Sequence, residues 1–272
     1  MVNVAYSAAA AEPPAGTLVV DDLNLLEATR VAEQFGTSQF GYVVTANADH
    51  AIRHYSDANF RRLYADASIV LLDSRFLVHL LRIVKGQYLT ACPGSDLTFR
   101  LFHDTIWPGD RIVLVGGTPD QADKLRAQFA LHDLHHVNPP MKFISDPRAV
   151  NDCLEEVEAA SPFRFCFLAV GSPQQEILAY KLRERGVARG LALCIGASID
   201  YLTGAEQRAP LWMQERGLEW FWRLSHNPRR MAHRYLVRGP RLFAFLSQMR
   251  FVPRRPRLSP DIESIEETAL PH

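Results

Sequence analysis

The feature that most constrains this chain is a rhythm. Five short apolar runs, "FGYVVTAN" (40–47), "ASIVLLD" (67–73), "DRIVLVGG" (110–117), "FRFCFLAVG" (163–171) and "LALCIGAS" (191–198), alternate with polar loops and stretches of helical periodicity. Strands with one wet face alternate apolar and polar residues, whereas continuous apolar runs belong to strands covered on both faces. The pattern therefore predicts an α/β fold, a mainly parallel Rossmann-like sheet covered by helices. At 272 residues the chain is long enough to bury one large core of this kind. Asp146 before Pro147 and Ser172 before Pro173 read as helix N-cap pairs.

In such sheets the ligand crevice lies beyond the carboxyl ends of the strands. The residues there are polar or glycine: Thr45 and Asn47 in "TANADH", Asp73, Gly116 and Gly117 in "VGGTPD", Gln174, Gln175 and Glu176 in "AVGSPQQE", and Gly196. A carboxylate at the position of Asp73 ordinarily caps a helix or closes a turn. Partly desolvated beside a hydroxyl and an amide, it also suits a general base. The glycine pair is either a tight strand-to-helix turn or a place where backbone N–H groups approach a phosphate. Neither a G-x-G-x-x-G nor a G-x-x-x-x-G-K-[ST] pattern occurs, which argues against a nicotinamide-dependent oxidoreductase and a P-loop enzyme. The glutamines belong either to a solvated first turn or to a group that binds a nucleotide or sugar through paired donors and acceptors.

Charge is balanced over the whole chain but not along it. From Trp220 to Pro260 there is no Asp, Glu or Lys, while ten arginines fall between Arg223 and Arg257. Arg223, Arg229, Arg230, Arg234, Arg238 and Arg241 are interleaved with aromatic residues, and Pro228, Pro240 and Pro253 divide the segment into short helices. Such a set is either a solvated face or an anion-recognising surface, with nucleic acid, anionic lipid head groups and a nucleotide diphosphate as its candidate targets. The expected organisation is a flexible leader over 1–16, an α/β domain over 17–210, an arginine-rich helical appendage over 211–252 and a disordered tail over 253–272. Cys92, Cys153, Cys166 and Cys194 are scattered, fit a reducing compartment and suggest no zinc site. His132, His135 and His136 lack acidic or cysteine partners at ligand spacing and read as a surface loop. No apolar run approaches a transmembrane length.

"TANADH", "VLLDSRF", "GSDL", "VGGTPD", "AVGSPQQE", "CIGASIDYLTGAEQRAPLWMQERGLEWFWRL" and "NPRRMAHRYL" occur in the order and spacing of the WecG/TagA/CpsF glycosyltransferases. The chain resembles that family over roughly residues 18 to 246, with the block from Gly196 to Trp220 the most specific. The resemblance implies an inverting transfer, without cofactor or metal, of a sugar from a UDP-sugar to a polyprenyl-diphosphate-linked acceptor in envelope polysaccharide synthesis. It implies a peripheral protein at the inner face of the bacterial cytoplasmic membrane, no nucleic-acid partner, and self-association. By motif position Asp73 matches the candidate base, Thr45 and Asn47 pocket residues, and Gln175 the glutamine after the G-x-P turn. Arg223, Arg230 and Arg234 would close over the nucleotide diphosphate, with Gly116 and Gly117 as helpers.

Two departures stand out. Many relatives read D-G where this chain reads "DSR", and carry an arginine where it has an apolar residue near Ala91. Arg75 is the candidate replacement for that charge, and the sugar specificity is expected to differ from that of the N-acetylmannosaminyl members. The competing reading is a non-catalytic α/β module that binds membrane or nucleic acid through its basic segment.

Overall fold

The computed structural model describes residues 16–232 and 239–254. Its strands are β1 (Thr17–Asp21), β2 (Phe40–Ala46), β3 (Ile69–Leu72), β4 (Arg111–Val115), β5 (Asp133–Val137), β6 (Phe165–Leu168), β7 (Gly190–Cys194) and β8 (Arg250–Arg254). Six of them form one sheet in the order β3-β2-β7-β6-β4-β5, parallel at every pairing.

Successive residues of a strand point to opposite faces, and here both faces are dry. Tyr42, Val44, Val70, Leu72, Val113, Val115, Cys166 and Leu168 pack into one core, while Val43, Ile69, Leu71, Ile112, Leu114, Phe165 and Phe167 pack into the other. The first core is closed by helices that include Ala48–Ser56, Arg75–Lys85, Pro147–Ala159 and Gln174–Arg185, the second by Leu25–Gln34, Gly94–Arg100 and Pro119–Gln128. Asp146 caps its helix as expected, accepting from Arg148 N. Ser172 does not cap: the next helix starts at Gln174, and the Ser172 hydroxyl is buried without a hydrogen-bond partner.

The histidine segment is a correction. It is not a surface loop but the edge strand β5, with Leu134 and Val137 buried. His135 reaches Asp133 at 2.9 Å, and His136 Nε2 donates to the Gly116 carbonyl oxygen at 2.9 Å.

The C-terminal segment also departs from expectation. Pro253 and Arg254, assigned to the tail, are the last residues of β8, which pairs in parallel with β1 from Thr17↔Arg250 to Asp21↔Arg254. The pair lies against β3, because the buried Asp21 accepts from Val70 N at 2.8 Å. Asp21 also receives the Arg254 guanidinium through two bonds of 2.8 Å. The preceding helix, Gly239–Leu246, packs on Ala48–Ser56, with Phe245 stacked on Tyr55 at 4.9 Å. Leu242, Leu246, Met249 and Phe251 are core residues. The appendage is thus anchored in the body at its far end.

His54, buried in Ala48–Ser56, carries a pH prediction. Desolvation, reinforced by nearby Arg61, lowers its pKa from 6.5 to about 4. The unfolded chain takes up this proton at higher pH than the folded protein does. The stabilising contribution is therefore present above about pH 6.5 and is lost as pH falls toward 4, by up to about 3 kcal/mol. Urea unfolding at pH 7.5 and 4.5 should show a loss in His54→Gln smaller than in the parent protein by about 2 kcal/mol.

Candidate functional site

The ends of β3, β2, β7 and β6 open into a polar cavity of about 410 Å³. Asp73, Thr45, Asn47, Gln175 and Arg223 line it together, as do Asp49, Arg53, Ser172, Tyr201 and Glu206. Each is placed by local chemistry. β2 ends at Ala46, and Asn47 caps the next helix, its side-chain oxygen accepting from Asp49 N at 3.0 Å and His50 N at 3.4 Å. His50 Nδ1 donates to the Thr45 carbonyl oxygen at 2.9 Å, which fixes its tautomer, since a carbonyl can only accept.

Asp73 is held from two sides. Its backbone N–H donates to the Ala46 carbonyl at 2.8 Å, and its Oδ1 accepts from Gly94 N at 2.8 Å. Gly94 sits against Thr45, where a Cβ would fall 3.1 Å from Cγ2 and 3.2 Å from Oγ1. The Thr45 hydroxyl donates to the Cys194 carbonyl at 3.2 Å, tying β2 to β7. Thr45 therefore seats the loop that orients Asp73, and a side chain at 94 would require one of the two to shift by a few tenths of an ångström.

Gln175 lines the cavity but its amide is committed. Oε1 accepts from Gly196 N at 2.9 Å and Nε2 donates to Glu176 Oε1 at 3.0 Å. With Gln175 only 2% exposed and Glu176 fully buried, the carboxylate sets which way the amide points, and the amide in turn holds the turn after β7. Burial, with Glu176 and Cys194 adding to it, pushes the neighbouring Tyr64 hydroxyl well above its ordinary pKa.

Among the described residues, Arg53 and Arg223 reach the cavity. Arg53 pairs with Asp49 at 2.8 Å one turn along the helix, and Arg223 pairs with Glu219 and lies 5.5 Å from the Tyr201 ring. Asn227 and Met231 bring the appendage over the same opening. Arg75 lies outside this cavity, on an adjoining groove, where it holds Asp96 at 2.8 Å; Arg208 grips the same carboxylate. Arg230 falls within the helix Pro228–Ala232, and Arg234 lies outside the described residues.

Gly116 and Gly117 are not brought to the cavity. They end β4, which lies beyond β6 in the sheet. Gly116 has φ +90°, and a Cβ there would fall 2.9 Å from Val170 Cγ1. The pair makes a close-packed turn closed by the Thr118–Gln121 capping box. Arg53 and Asp49 are not among the residues the sequence marks, whereas Ser172, marked there as a helix cap, lines the cavity instead. The signal for Arg53 was present, since Asn47, His50 and Arg53 recur every third residue from a strand end and so share a helix face.

The chain was compared with known proteins. A solved structure described as a highly conserved domain of unknown function with a distinct glycosyltransferase fold aligns at 13% identity and a TM-score of 0.45, over 71% of this chain and 85% of that one. The model of the glycosyl transferase WecG/TagA/CpsF family matches residues 16–256, from β1 past β8 and through every element that lines the cavity. The chain belongs to the WecG/TagA/CpsF family of glycosyltransferases.

Proposed function

We propose that this protein transfers a sugar from a UDP-sugar to an acceptor linked to polyprenyl diphosphate, with inversion and without a metal, in the synthesis of an envelope polysaccharide. The observation that carries the reading is Asp73, a carboxylate braced by one backbone N–H at the rim of a polar cavity that also presents Arg53 and Arg223. In the step proposed, Asp73 takes the proton of the acceptor hydroxyl and that oxygen attacks the anomeric carbon. The bond from that carbon to the diphosphate breaks on the opposite face, releasing UDP. Arg223 is suited, as a guanidinium at the cavity, to hold the departing diphosphate. Among the described residues no helix is long and apolar enough to cross a membrane. The protein is proposed to work on the inner face of the cytoplasmic membrane as a peripheral partner of the lipid, and self-association belongs to the same proposal.

The test is UDP release. With a UDP-sugar panel and a short-chain prenyl-diphosphate-linked sugar, one donor is expected to give acceptor-dependent UDP at a turnover of roughly 1 s⁻¹ or above. Binding of anionic vesicles or nucleic acid with no UDP release from any donor would favour the non-catalytic module instead.

A further inference from the structure

Gly94, whose N–H orients Asp73, opens the short helix Gly94–Arg100, and that helix is gripped at its third residue. Asp96 Oδ2 accepts from Arg75 Nη2 at 2.8 Å, while Oδ1 pairs with Arg208 Nη1. Arg75 stands two residues beyond Asp73, and Asp96 two residues beyond Gly94. The stretches 73–75 and 94–96 are therefore joined at both ends, by the Gly94 N–H on Asp73 Oδ1 and by the ion pair. Two separated contacts remove the rocking that one alone would allow.

Arg208 supplies the third point of this clamp, from the loop that follows the helix Ser198–Leu202. The side chains of Arg75 and Arg208 are 29% and 24% exposed, so water screens both pairs and they add little stability by themselves. Arg208 Nε and Nη2 are buried with no hydrogen-bond partner among the described residues, which costs stability. The arrangement is thus a poor way to strengthen the fold and a good way to fix a position. The loop that delivers Arg208 is itself seated. The Glu206 N–H donates to the Asp200 carbonyl at 3.0 Å, and Trp222 Nε1 donates to the Gln207 carbonyl at 3.3 Å. Trp222 precedes Arg223 in the helix Glu219–His226. Asp73 and Arg223 are accordingly positioned through one loop.

We propose that Asp96 and Arg208 are positioning residues for Asp73: held between Arg75 and Arg208, Asp96 fixes the turn at Gly94, and that turn sets the direction in which the Asp73 carboxylate meets the acceptor hydroxyl. Calling Asp73 the base rests on the glycosyl-transfer reading; the clamp on its orientation does not. Neither Asp96 nor Arg208 lines the polar cavity or the adjoining groove, so their effect on the reaction passes through that turn.

The experiment uses the full chain with Arg208→Ala, Arg208→Lys and Asp96→Asn. Asp104→Asn, which breaks the exposed Arg100–Asp104 pair further along the same helical stretch, is the control. Turnover should fall roughly thirty- to hundredfold in Arg208→Ala and Asp96→Asn, with the donor KM and the Kd of UDP within about threefold. Arg208→Lys should keep turnover within about threefold, because a single donor reaches Asp96. Combined with Asp73→Asn, Arg208→Ala should cost no more than about twofold, since two changes that act on one group do not add. Amide exchange at Gly94, read by NMR, should quicken about tenfold in Arg208→Ala and Asp96→Asn and stay unchanged in Asp104→Asn. Losses that multiply in the double variant, an equal loss in the control, or a loss carried by KM would overturn the proposal. So would unaltered exchange at Gly94. If the parent protein releases no UDP from any donor while exchange quickens as stated, the glycosyl-transfer reading fails and the clamp stands; an active parent with unaltered exchange and turnover in the variants gives the reverse.

Discussion

Asp73→Asn is expected to lower turnover by about three orders of magnitude while UDP binding stays within twofold, because general-base assistance contributes roughly 10²- to 10⁴-fold. The substitution is nearly isosteric, and its carbonyl oxygen can still accept the Gly94 N–H that orients Asp73 at 2.8 Å. The loop and the cavity wall should therefore persist, and only the proton acceptor is removed. Steady-state kinetics with the productive donor, beside calorimetric titration of UDP, separates these effects. Turnover within tenfold of the parent enzyme would place the base elsewhere, with Asp49 the next carboxylate at the junction of the two cavities.

Arg254→Ala should be damaging although it lies outside the cavity. Asp21 is 3% exposed, and the guanidinium reaches it through two bonds of 2.8 Å. Removing one partner leaves a buried carboxylate with, among the described residues, the Val70 N–H to satisfy it. Arg254 itself is 43% exposed, so water can partly replace it, and leaving the buried carboxylate short of a partner should cost about 2 kcal/mol, which lowers Tm by about 4–8 °C. Arg254→Lys should recover little, since an ammonium cannot make the paired contact. Arg241→Ala, at an exposed position of the preceding helix, should change Tm by no more than about 2 °C. Thermal unfolding of the three variants decides the point. The same geometry bears on truncation before Arg223. Besides the arginines, it removes the buried Leu242, Leu246, Met249 and Phe251, so a well-folded body is not expected from it.

The central sheet was legible because β2, β3, β4, β6 and β7 are buried on both faces and so read as unbroken apolar runs. The edge strands hid for the complementary reason. β5 is "DLHHV", with its outer face written in Asp and His, and β8 is "RFVPR", whose Pro253 is tolerated because β8 pairs on one side only. Composition thus spoke for a tail where the pairing makes a strand. Asp21 and Arg254 stand at opposite ends of the sequence, and nothing local announces their contact.

The cavity followed the same logic. Thr45, Asn47, Asp73 and Gln175 converge because they follow strands that are neighbours or near neighbours in the sheet. Gly116 and Gly117 looked equivalent, but strand order is not written in a strand, and β4 falls outside the four whose ends make the opening. Gln175 shows a further limit. Its place at the rim was readable, but its engagement with Gly196 and Glu176 depends on a turn twenty-one residues away.

The parallel pairing of β1 with β8 also bears on how the protein is made. β8 follows β1 by more than two hundred residues, so β1 leaves the ribosome long before the strand it pairs with among the described residues. A nascent or prematurely terminated chain that stops before Gly239 has Asp21 without Arg254 and the core without Leu242 and Leu246. Synthesis of β8 and closure of the β1 edge are then one event, and a product cut short of β8 keeps that edge exposed.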